Sequence, residues 1–201
     1  MTTPVITVVV PSLAERFTNG LPSSLRDLFA QSTGMPVEVK CLLDNSMQTL
    51  SEKRNEAAQN ALGTFISFVD DDDAIEPDYL EALVTAISAH PSADVIVFDV
   101  KVSWGTPGSC LCHYGLEFEH GQDAKSYYRK PNHVMAWRTE IARAYPYKNV
   151  SNEDTEWATR VAGAVTLSEA RIDKVLYHYK YNPKTTTQGR VLEILAARAR
   201  G

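Results

Sequence analysis

Four consecutive carboxylates, Asp70-Asp71-Asp72-Asp73, follow directly on the apolar run Phe65-Ile66-Ser67-Phe68-Val69. Adjacent acids at a strand end repel one another and are costly to hold together without a cation. A hard divalent ion, bound through one or two of them and completed by substrate phosphates, is the usual resolution for magnesium or manganese. An acidic loop favoured by the dipole of the next helix is the plainer alternative. Its place after a buried strand favours the metal. Upstream lies Ser51-Glu52-Lys53-Arg54-Asn55-Glu56-Ala57-Ala58, then Ala61-Leu62-Gly63. Either this is an ordinary helix with Arg54 in water, or Arg54 aims a fixed guanidinium at the aspartates or at a diphosphate. Downstream, Ser151-Asn152-Glu153-Asp154 reads as a helix start, with Ser151 and Asp154 spaced as a capping box. A carboxylate fixed there is also placed to take a proton from an acceptor hydroxyl. Last, His178 sits between Tyr177 and Tyr179, as a packed ring or as a metal or phosphate contact.

The elements that must position these residues alternate. Val5 to Val10 is a β-branched run closed by Pro11-Ser12, the pattern of a strand buried on both faces. A helix is expected near Pro22 to Gln31, a strand over Val37 to Leu43, and a helix from about Met47 to Leu62 stopped by Gly63. Thr64 to Val69 reads as a third strand, Pro77 opens a third helix, and Asp94 to Val102 is a fourth strand. Four such alternations predict an α/β fold, a mostly parallel central sheet flanked by helices. Ligands in such sheets bind beyond the carboxyl ends of the strands, where Pro11-Ser12, Asp44-Asn45 and the aspartates all fall. The second half is less regular: a hairpin within Ser103 to Glu119, short helices over Arg138 to Ala144 and Glu153 to Ala162, a strand over Ile172 to Tyr181, and an amphipathic helix over Val191 to Arg200. Neither a repeat nor a long linker divides the chain. The expected organisation is one domain, 1–201, with a nucleotide-binding half (1–102), an acceptor-side half (103–182) and a C-terminal tail (183–201).

Composition bounds the function. Of 201 residues 44% are hydrophobic and 22% charged, enough for a full core. A net charge of −5 gives no electrostatic reason to expect a nucleic-acid partner. Three cysteines are too few and too odd in number for a disulfide framework, which suits a reducing, cytoplasmic compartment. The start lacks a basic leader and reads as a strand, and no run reaches the about 18 apolar residues of a membrane span.

Taken in order, these segments resemble the family 2 glycosyltransferases, nucleotide-diphospho-sugar transferases with the GT-A fold. The resemblance rests on Val8-Val9-Val10-Pro11, Leu43-Asp44, Arg54-Asn55-Glu56-Ala57, Ala61-Leu62-Gly63, the aspartates with Glu76-Pro77-Asp78-Tyr79-Leu80, and Glu153-Asp154. It is close over roughly 4 to 90 and looser from 130 to 180. It implies a metal-dependent, inverting transfer of a sugar from a nucleotide-diphosphate donor, a UDP-sugar favoured, to an acceptor hydroxyl. By the same resemblance Pro11, Ser12, Glu15 and Asp44 line the base and ribose pocket and Arg54 borders it. Asp70, Asp71 and Asp72 face the diphosphate, with Asp72 the foremost ligand of Mn2+ or Mg2+, Asp70 beside it and His178 a further one. Asp154 is then the catalytic base, and Glu153 takes that role if the register shifts by one. Asp71 adds a charge where the family often has a small residue.

Three other readings compete. A nucleotidyltransferase shares the acidic metal ligands but asks for a glycine-rich basic loop after the first strand, where Pro11-Ser12-Leu13-Ala14-Glu15-Arg16 stands. A haloacid-dehalogenase-like phosphatase asks for a nucleophilic Asp at that strand end and finds Pro11. A non-catalytic module of the same fold, binding nucleotide sugar or glycan, has no need of both the aspartate run and Glu153-Asp154. His133 and Trp137 fall where acceptor-side residues would lie, as sugar contacts or as core.

Overall fold

The computed structural model describes residues 3–18, 20–103 and 108–180. The amphipathic helix expected at Val191 to Arg200, and the tail beyond 182, lie outside the described residues. Strand β1 (Ile6–Leu13) is buried almost end to end, as its unbroken apolar run requires. It pairs in parallel with β2 (Val37–Asp44) on one side and β3 (Phe65–Phe68) on the other. Leu13 lies opposite Asp44, so the ends of β1 and β2 are level and their polar residues share one rim.

Helices α1 (Ser23–Ser32) and α2 (Leu50–Asn60) connect these strands, and with α3 (Tyr79–Ala89) they cover the sheet through Leu25, Leu28, Ala57, Ala58, Leu80 and Leu83. The start of α2 is fixed by a capping box: Glu52 N donates to the Thr49 hydroxyl and Thr49 N to the Glu52 carboxylate. Gly63, just past α2, is required by close approach, since a Cβ there would stand 2.4 Å from the Thr7 backbone nitrogen.

Past the aspartates the order changes. Short β4 (Ala74–Ile75) is followed by α3 and then β5 (Val95–Ser103), β6 (Ser109–Tyr114), β7 (Gly121–Gln122) and β8 (Ser126–Arg129). Strand β9 (Ala136–Arg138) inserts antiparallel between β3 and β5, and α4 (Thr139–Ala144) and α5 (Glu153–Ala164) follow. Strand β10 (Glu169–Lys180) closes the sheet, parallel to β5 and antiparallel to β4. Among the described residues the ten strands thus form one sheet with the order β2-β1-β3-β9-β5-β6-β8-β7, and β10 on β5 and β4. It is the expected helix-flanked α/β sheet, parallel in its first half and partly antiparallel in its second. The reason is β9: it borders both β3 and β5 with only three residues, so the chain enters the middle of the sheet in reverse.

Candidate active site

Helix α2 organises the site through polar residues that its composition makes easy to misjudge. Asn55 donates from Nδ2 to the Tyr147 carbonyl (2.9 Å) and accepts from the Tyr147 amide (2.7 Å), so one side chain pins that loop residue twice. The Ser51 hydroxyl donates to the Lys148 carbonyl at 2.8 Å. Tyr147 in turn stacks on Trp157 of α5, centroids 4.8 Å apart, and Trp157 meets Trp137 edge-on. The loop before α5 is therefore clamped between α2 and a buried aromatic cluster, and Glu153 and Asp154 inherit fixed positions.

Arg54 lies at the centre. Its side chain is 1% exposed and lies against the rings of Phe68 and Tyr147, at 5.8 and 5.5 Å from their centroids. Nη1 donates to Glu153 Oε1 at 2.6 Å, and Nη2 is 3.7 Å from Asp70 Oδ1. A buried guanidinium is tolerable only when paired in this way. Neighbouring Lys53 is also buried but turns elsewhere, donating to the Ser12 carbonyl at 2.6 Å and pairing with Asp44. Asp44 further accepts the amides of Met47 and Gln48. Burial raises the Asp44 carboxyl, but Lys53 and these amides outweigh it and hold the group below the usual range.

The aspartate run alternates along the turn. Asp71 and Asp73 are buried, Asp70 is partly buried, and Asp72 is exposed. Asp71 accepts from the Ser12 hydroxyl and from Arg16, on the 3-10 turn Ala14–Phe17. Asp73 accepts from the Tyr177 hydroxyl (2.7 Å) and the Lys180 amide (2.8 Å). The same Tyr177 oxygen accepts the Asp70 amide at 3.0 Å, so one side chain ties both ends of the turn. Burial and the charge of Asp70 push the Asp73 carboxyl up to about 8, with its two donors offsetting only part. Asp70 goes the other way: burial raises it, but His133, Arg54 and Arg16 outweigh that and hold it at about 2. Asp72 keeps Arg16 at 3.4 Å.

A cleft of about 500 Å³ opens beside Asp70. Its charged lining comes from Arg54, Asp70, Asp73, Arg129, Glu153 and Asp154, beside His133, and its apolar and aromatic lining includes Val100, Val102, Tyr114, Tyr127 and Tyr179 on strands β5, β6, β8 and β10. In it the Asp154 carboxylate receives its own helix's Thr155 amide (2.8 Å) and a long contact from Asn132 Nδ2 (3.4 Å).

The expected site residues thus fall into two neighbouring groups. Arg54, Asp70, Glu153 and Asp154 meet at the cleft. Pro11, Ser12, Asp44, Asp71 and Asp72 cluster at the ends of β1 and β2, with Glu15 exposed on the adjoining 3-10 turn. His178 joins neither. It points away from Tyr177 and Tyr179 by strand alternation, and its Nε2 lies 2.6 Å from Glu76 Oε1. The capping box expected at Ser151 and Asp154 is not formed: Asn152 holds the cap position with no side-chain cap bond, because Glu153 turns to Arg54 and Asp154 to the cleft. Sequence reading missed Lys53, Arg16, Asn132 and Tyr177. Tyr177 was within reach, since residues two apart share a strand face and Tyr177 precedes the histidine that drew attention.

Comparison with known proteins now bears on these features. Residues 48–134 match the family model described as glycosyl transferase family 2. The structure resembles S. aureus TarS (residues 1–349) in complex with UDP-GlcNAc, with a TM-score of 0.60, 16% identity, and coverage of 97% of this chain and 65% of that one. It also resembles the mannosyltransferase PcManGT of Pyrobaculum calidifontis, in complex with GDP-Man and Mn2+, with a TM-score of 0.60, 13% identity, and coverage of 100% and 65%. An uncharacterised protein of Sinorhizobium fredii is 40% identical over 67 residues, 32% of this chain and 7% of its own length. The chain therefore spans just under two thirds of these solved structures and a small part of that relative. The family 2 glycosyltransferase model thus matches somewhat less than half of the chain, and the solved structures share its fold, a helix-flanked α/β sheet of the GT-A type. Among the described residues no helix is long and apolar enough to cross a membrane.

Proposed function

We propose that this chain, as a single GT-A domain over residues 1–201, transfers a sugar from a nucleoside-diphosphate donor to an acceptor hydroxyl, with inversion at the anomeric carbon. The observation that carries this reading is the unequal use of the two adjacent acids on α5. Glu153 is neutralised by buried Arg54, while Asp154 faces the cleft and is a third exposed. A carboxylate held at a helix start and facing a cleft suits a general base for a hydroxyl. With Glu153 paired to Arg54 and Asp70 assigned to the cation, Asp154 is left as the base, which suits direct displacement of the diphosphate by the acceptor hydroxyl. Level strand ends bearing Pro11, Ser12 and Asp44 suit the base and ribose, and TarS and PcManGT were each solved with a nucleotide sugar. A UDP-sugar is the favoured donor.

A divalent cation fits the donor set under one condition. Among the described residues no three acidic, His or Cys side chains converge as a closed metal site. What the turn presents is Asp72, exposed, with Asp70 held ionised beside it. Manganese and magnesium are commonly held by one or two carboxylates with substrate phosphates completing the shell, so Asp70 and Asp72 would hold the ion together with the donor. Such an ion offsets charge developing on the departing diphosphate. Arg16 already sits within reach of Asp71 and Asp72 and contributes positive charge to the same rim.

The test is a panel of UDP-, GDP- and dTDP-sugars with Mn2+ or Mg2+, scored for binding and slow donor hydrolysis, with and without EDTA. Metal-dependent binding of one donor, abolished by Asp72→Ala, is the expected result. If no donor binds under either metal, the proposal is wrong.

A further inference from the structure

The segment between β8 and β9 carries a histidine whose surroundings differ from those of an ordinary packed ring. His133 is 6% exposed, and its backbone is fixed on both sides. Phe68 N donates to the His133 carbonyl (3.1 Å), the Ser67 hydroxyl to the Val134 carbonyl (2.9 Å), and Trp137 Nε1 to the Asn132 carbonyl (2.9 Å). The backbone that carries the ring therefore cannot move without breaking the contact between β3 and this segment. Both ring nitrogens are closed off from solvent and neither makes a full hydrogen bond within the chain. Buried polar groups are normally satisfied, so the direction in which these two point is informative. Nε2 lies 3.5 Å from Asp70 Oδ2 and Nδ1 lies 3.9 Å from Asp154 Oδ2. Asn132, the preceding residue, reaches that same Asp154 oxygen at 3.4 Å. One imidazole thus spans the gap between the donor-side carboxylate and the carboxylate on α5.

We infer that His133 is a positioning residue that, with Asn132, sets the Asp154 carboxylate relative to Asp70, and through it the reach of the base toward the donor. This rests on the reading of Asp154 as the base. A sugar contact is a poorer account of His133, because nitrogens closed off from solvent offer a ligand no donor or acceptor. Active-site hydrogen bonds that are long in the free protein commonly tighten when substrate fills the site. Two contacts slightly beyond hydrogen-bond length, from a ring whose backbone is locked, have that form.

The experiment is a pair of double-variant cycles. His133→Phe keeps a ring of similar size and removes both nitrogens. Transfer kcat is expected to fall about 10- to 100-fold, as when an outer residue that orients an active group is lost, with a smaller change in donor KM, because the ring also borders Asp70 while Pro11, Ser12 and Asp44 are unaltered. In the Asp154→Asn background the same substitution should cost nothing further. His133→Asn, whose amide nitrogen reaches to about where Nδ1 stood, should recover part of the rate. An equal loss with and without Asp154, a loss confined to donor KM, or no recovery by His133→Asn would each overturn the inference. The second cycle needs no turnover: thermal midpoints of His133→Phe, Asp154→Asn and the double variant should depart from additivity by about 2 °C or more, and strict additivity sinks the contact. Failure of the transferase reading shows instead in the unsubstituted protein, which would bind and hydrolyse no donor, while the thermal cycle still reads His133.

Discussion

The molecule carries two concentrations of acid, the turn Asp70 to Asp73 and the pair Glu153-Asp154, and it treats them differently. Adjacent residues of α2 serve them: Lys53 turns to Asp44 and Ser12 beside the turn, Arg54 to Glu153 and Asp70. At the turn, charge is graded by environment. Asp71 and Asp73 are taken up by Ser12, Arg16, Tyr177 and the Lys180 amide, Asp70 stays strongly acidic, and Asp72 is left open. At the pair, one buried guanidinium occupies one acid and leaves the other facing the cleft. A graded run suits a site whose countercharge arrives with the substrate. A divided pair suits a site that must keep one carboxylate unneutralised. The same residue type is thus a shared store of charge in one place and a single cleft-facing carboxylate in the other.

The sharpest way to break that comparison is to exchange the roles of the pair. Asp154→Asn should lower transfer about 10²- to 10⁴-fold, the range of a lost general base, with donor binding retained by calorimetry. Glu153→Gln should cost far less in rate and more in stability, because it leaves Arg54 poorly paired. The reverse ordering would assign the base to Glu153 and undo the division proposed for α5. Next in size is the contrast between the two cations of α2. Arg54→Met strands Glu153 in a buried position and should destabilise by about 3–5 kcal/mol, a fall in thermal midpoint of roughly 6 °C or more. Lys53→Met should cost about 1–3 kcal/mol, since Asp44 keeps the Met47 and Gln48 amides. Equal losses would mean that both cations are structural pins of one kind.

Much of the first half was legible from the residues themselves. Strand β1 is a β-branched run with nothing to interrupt it, and β3 runs from Phe65 into acids that end it. The alternation of strand and helix over about one hundred residues leaves little choice of fold. The second half was less readable because its strands are short and paired out of sequence order: β9 contributes three residues to the middle of the sheet, and no periodicity reports that. At the site, residue type and spacing located the acids but not their partners. Arg54 looked able to face water, since its helix has a weak apolar stripe; its partners Glu153, Phe68 and Tyr147 come from three other segments. The helix cap was placed at Ser151, where the acids turn to the cleft, and missed at Thr49, where Glu52 completes it. His178 drew attention by chemistry, yet alternation along β10 hands the cleft to Tyr177 and Tyr179. Long-range partners, not local propensity, decide each of these.

The effect that is smallest per unit of change concerns the graded run alone, and its signature is a slope. Asp73 keeps its proton in the folded protein up to about 8, because it is buried beside Asp70. In the unfolded chain an aspartate ionises near 4. Between these values the unfolded state has released a proton that the folded state retains, so stability must fall as pH rises, by at most about 1.4 kcal/mol per pH unit for one proton. Asp70 contributes nothing to that slope, since its folded value of about 2 and its unfolded value both lie below the window. Urea midpoints measured from pH 5 to 8 in EDTA should therefore decline in the native sequence relative to Asp73→Asn, which keeps the shape and cannot ionise. Parallel profiles would mean that Asp73 is charged like its neighbours. The turn would then be a uniform cluster of carboxylates awaiting a cation, and the grading by Tyr177 and burial would have no energetic content.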